Sequence, residues 1–76
     1  MDTRYGDKYI KMGLKIQYYR KLKGYTQENL AELIGRSWQF IARIESPSTV
    51  VGISLETLFR IADALDIEPY KILKED

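Results

Sequence analysis

Thr26-Gln27-Glu28-Asn29-Leu30-Ala31-Glu32-Leu33-Ile34-Gly35-Arg36-Ser37-Trp38-Gln39-Phe40-Ile41-Ala42-Arg43-Ile44-Glu45 is the stretch that decides the fold. The hydroxyl of Thr26 can accept an amide N–H two or three residues on, which predicts the start of a helix over 27–34. Leu30, Leu33 and Ile34 give that helix an apolar face. Gly35 ends it, because glycine enters the left-handed region without steric cost. Ser37 repeats the capping signal and predicts a helix from Trp38 to about Glu45, with Ile41 and Ile44 as its inward pair. Only Gly35-Arg36-Ser37 separates the two helices.

Outward from this pair, the same punctuation predicts three more helices. Asp7 can cap a first helix running to about Lys23, with Met12, Ile16 and Tyr19 at helical spacing and Gly24 as its terminator. Residues 46–53 read as a loop, since Pro47 drives Ser46 out of helical backbone. Ser54 can cap a fourth helix over 55–65, whose inward stripe is Leu55, Leu58, Ile61, Ala62 and Leu65. Pro69 suits the first turn of a fifth helix anchored by Ile67, Ile72 and Leu73. No strand alternation, repeat or low-complexity tract interrupts this all-α pattern. The domain is expected over 12–73, after an N-terminal arm and helix start over 1–11 and before a frayed tail over 74–76.

Composition excludes several function classes. The 76 residues contain no cysteine and no histidine, so disulfides and thiolate or imidazole metal sites are absent and the commonest general base is missing. Glu28, Glu32 and Glu56 read as ordinary helix-surface carboxylates, and no nucleophile–base pair or phosphate loop is present. The expectation is therefore no enzyme, no cofactor and no small-molecule ligand. No apolar run is long enough to span a membrane, and the first residues lack a signal-peptide core, which makes a cytoplasmic address the expectation. Net charge is only +1, yet its distribution is uneven. Residues 1–43 carry nine Lys/Arg against four Asp/Glu, and residues 44–76 carry three against seven. A chain split in this way can turn one basic face to phosphates while staying near neutral overall.

Two short helices joined by a tight glycine turn, with small Ala31 where they cross, satisfy the steric needs of a helix-turn-helix. In that motif the second helix offers its N-terminal half to a DNA major groove. The segments 26–35, Ser37 and 41–45 together resemble the Cro/CI-type, lambda-repressor-like helix-turn-helix family (XRE-like). Residues 19–24 resemble the end of that family's first helix, 54–58 with 61–65 its fourth, and 67–73 its fifth. The resemblance implies a compact five-helix domain with the motif formed by helices 2 and 3.

It also implies roles for individual residues. Trp38, Gln39 and Arg43 would face bases: Gln39 can read adenine and Arg43 guanine, each bidentately. Trp38 has three readings, namely a thymine methyl, packing on its own domain, or an interface. Gln27, Ser37, Phe40, Lys21, Lys23 and Arg36 would hold or flank the phosphates. Arg20 and Glu45 would form a buried ion pair fixing the first helix against the third. Ser46-Pro47 departs from the family's Asn-Gly, and Pro47 has no N–H to give a phosphate.

These roles imply double-stranded operator DNA as the partner, read as a palindrome by a homodimer, and a transcriptional regulator whose default sign is repression. Helix 1 carries a second apolar stripe, Leu14, Tyr18 and Leu22, and the loop adds Val50, Val51 and Ile53. Each admits either cover by the rest of the chain or use as an interface. The alternative function is a protein-interaction module, such as an antitoxin or partner subunit, with secondary DNA binding.

Overall fold

The structure, a computed structural model, describes residues 3–75 and contains five helices among them. These are α1 (Gly6–Leu22), α2 (Gln27–Ile34), α3 (Trp38–Glu45), α4 (Leu55–Leu65) and α5 (Tyr70–Leu73). α3 lies against α1 and α2, α4 against α2, and α5 against α1. Met1, Asp2 and Asp76, the outer ends of the expected arm and tail, lie outside the described residues.

The three central helices start where local chemistry tells them to. Thr26 accepts the Asn29 N–H, and the Asn29 side chain accepts the Thr26 N–H, both at 3.0 Å, so two orphan donors are satisfied reciprocally. Ser37 accepts the Phe40 N–H, and Ser54 accepts the Thr57 N–H. At the far end of α2, Gly35 takes the left-handed conformation at φ 72°, while the Arg36 N–H reaches back to Ala31 C=O at 2.9 Å. That is the hydrogen-bond pattern of a Schellman ending.

The core is one cluster built from Ile16 of α1, Leu30, Ala31 and Ile34 of α2, Ile41 and Ile44 of α3, Leu58, Ile61, Ala62 and Leu65 of α4, and Ile72 of α5. Val51 and Ile53 of the loop pack against it, and Val50 lies over Gly6. The loop therefore covers the core.

Three local expectations are corrected. Asp7 does not cap α1; the helix begins at Gly6 with Tyr5 before it, in a turn closed by the Gly6 N–H on the Thr3 carbonyl at 3.3 Å. Leu33 and Leu55 are exposed and do not face inward. They sit on the edges of narrow buried arcs, where a periodicity of 3.6 leaves the face uncertain by half a turn. Leu73 is also exposed, so Ile72 anchors α5, with Ile67 at the core margin. Of the two readings of the second stripe of α1, cover is incomplete among the described residues: Leu14, Tyr18 and Leu22 remain exposed.

Candidate nucleic-acid interface

α3 is held by its inner face and free on its outer one. Ile41 and Ile44 are buried in the core beside Glu45, which is only 3% exposed. A charge this deep needs partners. Glu45 Oε2 accepts from Arg20 Nε at 2.7 Å, and Oε1 accepts from Arg20 Nη2 at 2.9 Å. The remaining Arg20 nitrogen, Nη1, donates to the Tyr25 carbonyl at 2.6 Å. The bidentate geometry fixes both position and orientation of α3 relative to α1.

Two further donors meet the same carboxylate. Gln27 Nε2 lies 3.1 Å and Gln17 Nε2 3.4 Å from Glu45 Oε1. Three residues from α1 and α2 thus converge on one carboxylate of α3. Among the described residues no buried side-chain nitrogen or oxygen lacks a partner. Gln27 is half-buried and ties the first turn of α2 to the last residue of α3. Gln17 and the Tyr25 carbonyl were missed from the sequence. Gln17 carried a signal nonetheless, being a polar residue one turn before Arg20 on the inward side of α1.

The outer face of α3 presents Trp38, Gln39 and Arg43, all exposed. Gln39 and Arg43 are one turn apart, so they lie side by side. At the N-terminus of α3, the Arg36 guanidinium stacks 3.7 Å from the Phe40 ring centroid. Stacking of this kind presets an otherwise flexible side chain while leaving its N–H fork for other partners. Ser37, at the same end, is occupied as the helix cap. Ser37, Arg36 and Phe40 are thereby gathered at one place. Lys21 and Lys23 lie apart from them, exposed at the end of α1, with Lys23 Nζ 5.9 Å from the Tyr25 ring centroid.

Beyond α3, Pro47 follows directly and Ser48 donates its N–H to Ser46 Oγ at 3.3 Å, so this turn satisfies itself. Among the described residues there is no group of carboxylates arranged to hold a metal, and no helix is long and apolar enough to cross a membrane.

Residues 16–72 match the helix-turn-helix family model HTH_3. Three solved structures share the fold. The restriction-modification controller protein C.AhdI from Aeromonas hydrophila is 30% identical, with 92% of this chain and 99% of that chain covered and a TM-score of 0.83. SinR, a master regulator for biofilm formation solved in complex with DNA, is 30% identical, covering 83% and 98%, with a TM-score of 0.76. The clp gene regulator ClgR from C. glutamicum is 25% identical, covering 86% and 82%, with a TM-score of 0.77. Among curated protein sequences, none matches.

Proposed function

The chain belongs to the helix-turn-helix family HTH_3, whose lambda-repressor-like members are DNA-binding transcriptional regulators, and from that premise we propose that it reads a palindromic operator as a homodimer through α3. The observation that carries this reading is the division of α3 into a locked inner face and an exposed outer one bearing Trp38, Gln39 and Arg43. Gln39 pairs with adenine N6 and N7, and Arg43 with guanine O6 and N7. Trp38 lies at the start of the same face, where its ring meets a thymine methyl.

Gln27, Ser37, Phe40, Lys21, Lys23 and Arg36 bind or flank phosphates and set the register of α3 in the groove. Gln27 has a double duty in this scheme: its amide nitrogen is on Glu45, and its backbone N–H belongs to the first turn of α2, where helix amides face anions. A phosphate gripped there is mechanically joined to the end of the recognition helix.

One copy measures 31 × 25 × 20 Å. Copies of this size can lie side by side on half-sites ~34 Å, one helical turn, apart. Repression follows if the operator overlaps a promoter, since a bound dimer of this size excludes other proteins from the same groove.

The test is selection from a randomised duplex pool at two salt concentrations, with Gln39→Ala and Arg43→Ala alongside. A palindromic motif should emerge, with affinity falling steeply in salt. Each substitution should cost about 1–3 kcal/mol on the preferred site and relax one base position. Unchanged sequence preference in both variants would remove the base-reading assignment. No enrichment at all would favour the protein-interaction reading.

A further inference from the structure

We propose that the outer face of α1 is a docking surface for an acidic helix of another protein that carries a stripe of apolar side chains. Leu14, Tyr18 and Leu22 recur every fourth residue and are 41%, 57% and 66% exposed. They point away from Gly13, Ile16 and Arg20, the residues by which α1 meets the rest of the fold. Beside the stripe lies an open groove of about 560 Å³, floored by Leu14, Tyr18 and Tyr19 and bordered by Lys11, Lys74 and Glu75. An apolar stripe at helical spacing next to a groove matches the anchor pattern of helix recognition.

Charge identifies the occupant. Lys8, Lys11 and Lys74 stand exposed around the stripe. The chain's own Glu75 shows how this rim treats a carboxylate: its oxygens lie 3.2 Å from Lys8 Nζ and 3.8 Å from Lys11 Nζ. The hydrogen bond from Lys8, and then the charges of Lys8 and Lys11, hold the Glu75 carboxyl below its ordinary value of 4.5. A second copy fits less well, because a two-fold pairing would bring together two faces that each carry more lysines than carboxylates. Duplex DNA offers phosphates but, beyond single thymine methyls, no apolar stripe for Leu14, Tyr18 and Leu22. An acidic amphipathic helix satisfies both features. Since the stripe is on the side of α1 turned away from α3, its partner and DNA can be bound together.

The probe is a fluorescent synthetic helix of about 15 residues, with leucines every third or fourth position and glutamates between them. A scrambled peptide of the same composition and a version with lysine for glutamate are the controls. Binding to the full chain is followed by anisotropy at two salt concentrations and mapped by amide chemical shifts. The acidic helix should bind, move the resonances of α1 around Leu14 and Tyr18, and weaken with salt. Leu14→Ala/Tyr18→Ala and Lys11→Glu should each weaken it roughly tenfold or more while DNA affinity stays unchanged. Equal binding of either control, shifts centred on another helix, or full retention in the variants overturns the proposal. So does tighter binding of the face to anionic vesicles, or loss of self-association in the Leu14→Ala/Tyr18→Ala variant, which would assign the stripe to a membrane or to a second copy. Loss of DNA binding in Gln39→Ala leaves this surface intact, so the two readings fail separately.

Discussion

A Cβ added to Gly13 would overlap the carbonyl oxygen of Ile44 and come within 2.9 Å of its carbonyl carbon. The obstacle is backbone, which cannot swing aside as a side chain can. In an ordinary helix interior, Gly→Ala gains about 1 kcal/mol. Here overpacking of about 1–3 kcal/mol or more opposes it, and the contact with backbone places the site at the upper end. Gly13→Ala should therefore lower the melting temperature, by roughly 10 °C if the net loss is near 2 kcal/mol. Calorimetry would check this; a midpoint at or above that of the parent would disprove the close approach of α1 to α3. Sequence reading passed over Gly13 because a glycine inside a helical pattern looks only like a weak point. The Arg20–Glu45 pair makes a second test at this scale. Arg20→Met strands a buried carboxylate with only glutamine donors and should cost about 3–5 kcal/mol in urea titration. Adding Glu45→Leu should recover most of that loss, because the cost lies in the unpaired charge. A double variant as unstable as the single one would place the loss instead in the Gln17 and Gln27 amides and the Tyr25 carbonyl left without these partners.

Among the elements, three helices end alike: Gly24, Gly35 and Asp66 occupy the left-handed position, and the next residue's N–H reaches back to a carbonyl five residues earlier, at Arg20, Ala31 and Ala62. Two of the three use glycine. Asp66, at φ 59°, carries a Cβ into a region that disfavours it and sets a negative charge on the negative end of α4. Asp66→Gly should stabilise the domain by about 1 kcal/mol, read as a shift of the urea midpoint without a change in slope. An unchanged or lower midpoint would mean that the Asp66 carboxylate makes a compensating contact. The contrast explains what the sequence could tell. α2, α3 and α4 were legible to the residue because Thr26, Ser37, Ser54 and Gly35 act on backbone within three positions of themselves. The start of α1 was not, because it depends on a Thr3 turn and on Val50 packing over Gly6, some forty positions away. The trio Trp38, Gln39 and Arg43 came from the family resemblance, and all three are exposed. The bond from Gln27 to Glu45 was not, since no local rule links a helix start to a carboxylate eighteen residues on.

For the whole molecule, the balance between core and surface poses the remaining question. Among the described residues, eleven apolar residues are buried, while ten large apolar side chains stand exposed. A chain of this size buries only about 60% of its unfolded surface, so it gains by covering more. Outside the α1 stripe and Trp38, the exposed set includes Leu55 and Phe59 on α4 and Tyr70 and Leu73 on α5. If these close a homodimer, folding and association are linked, and unfolding must depend on concentration. Each tenfold rise then adds about 1.4 kcal/mol, which for a folded unit of roughly 150 residues is about 3–5 °C. Differential scanning over a hundredfold concentration range, with sedimentation on the same samples, would measure it. A flat midpoint with a monomeric mass would remove the homodimer and leave each copy to bind its half-site alone. The same series run on Leu14→Ala/Tyr18→Ala separates the two surfaces. Its concentration dependence should match the parent's, because an α1 face ringed by lysines contributes nothing to self-pairing. If α4 and α5 close the homodimer, Phe59→Ala should flatten the dependence instead, because it removes apolar area from that face.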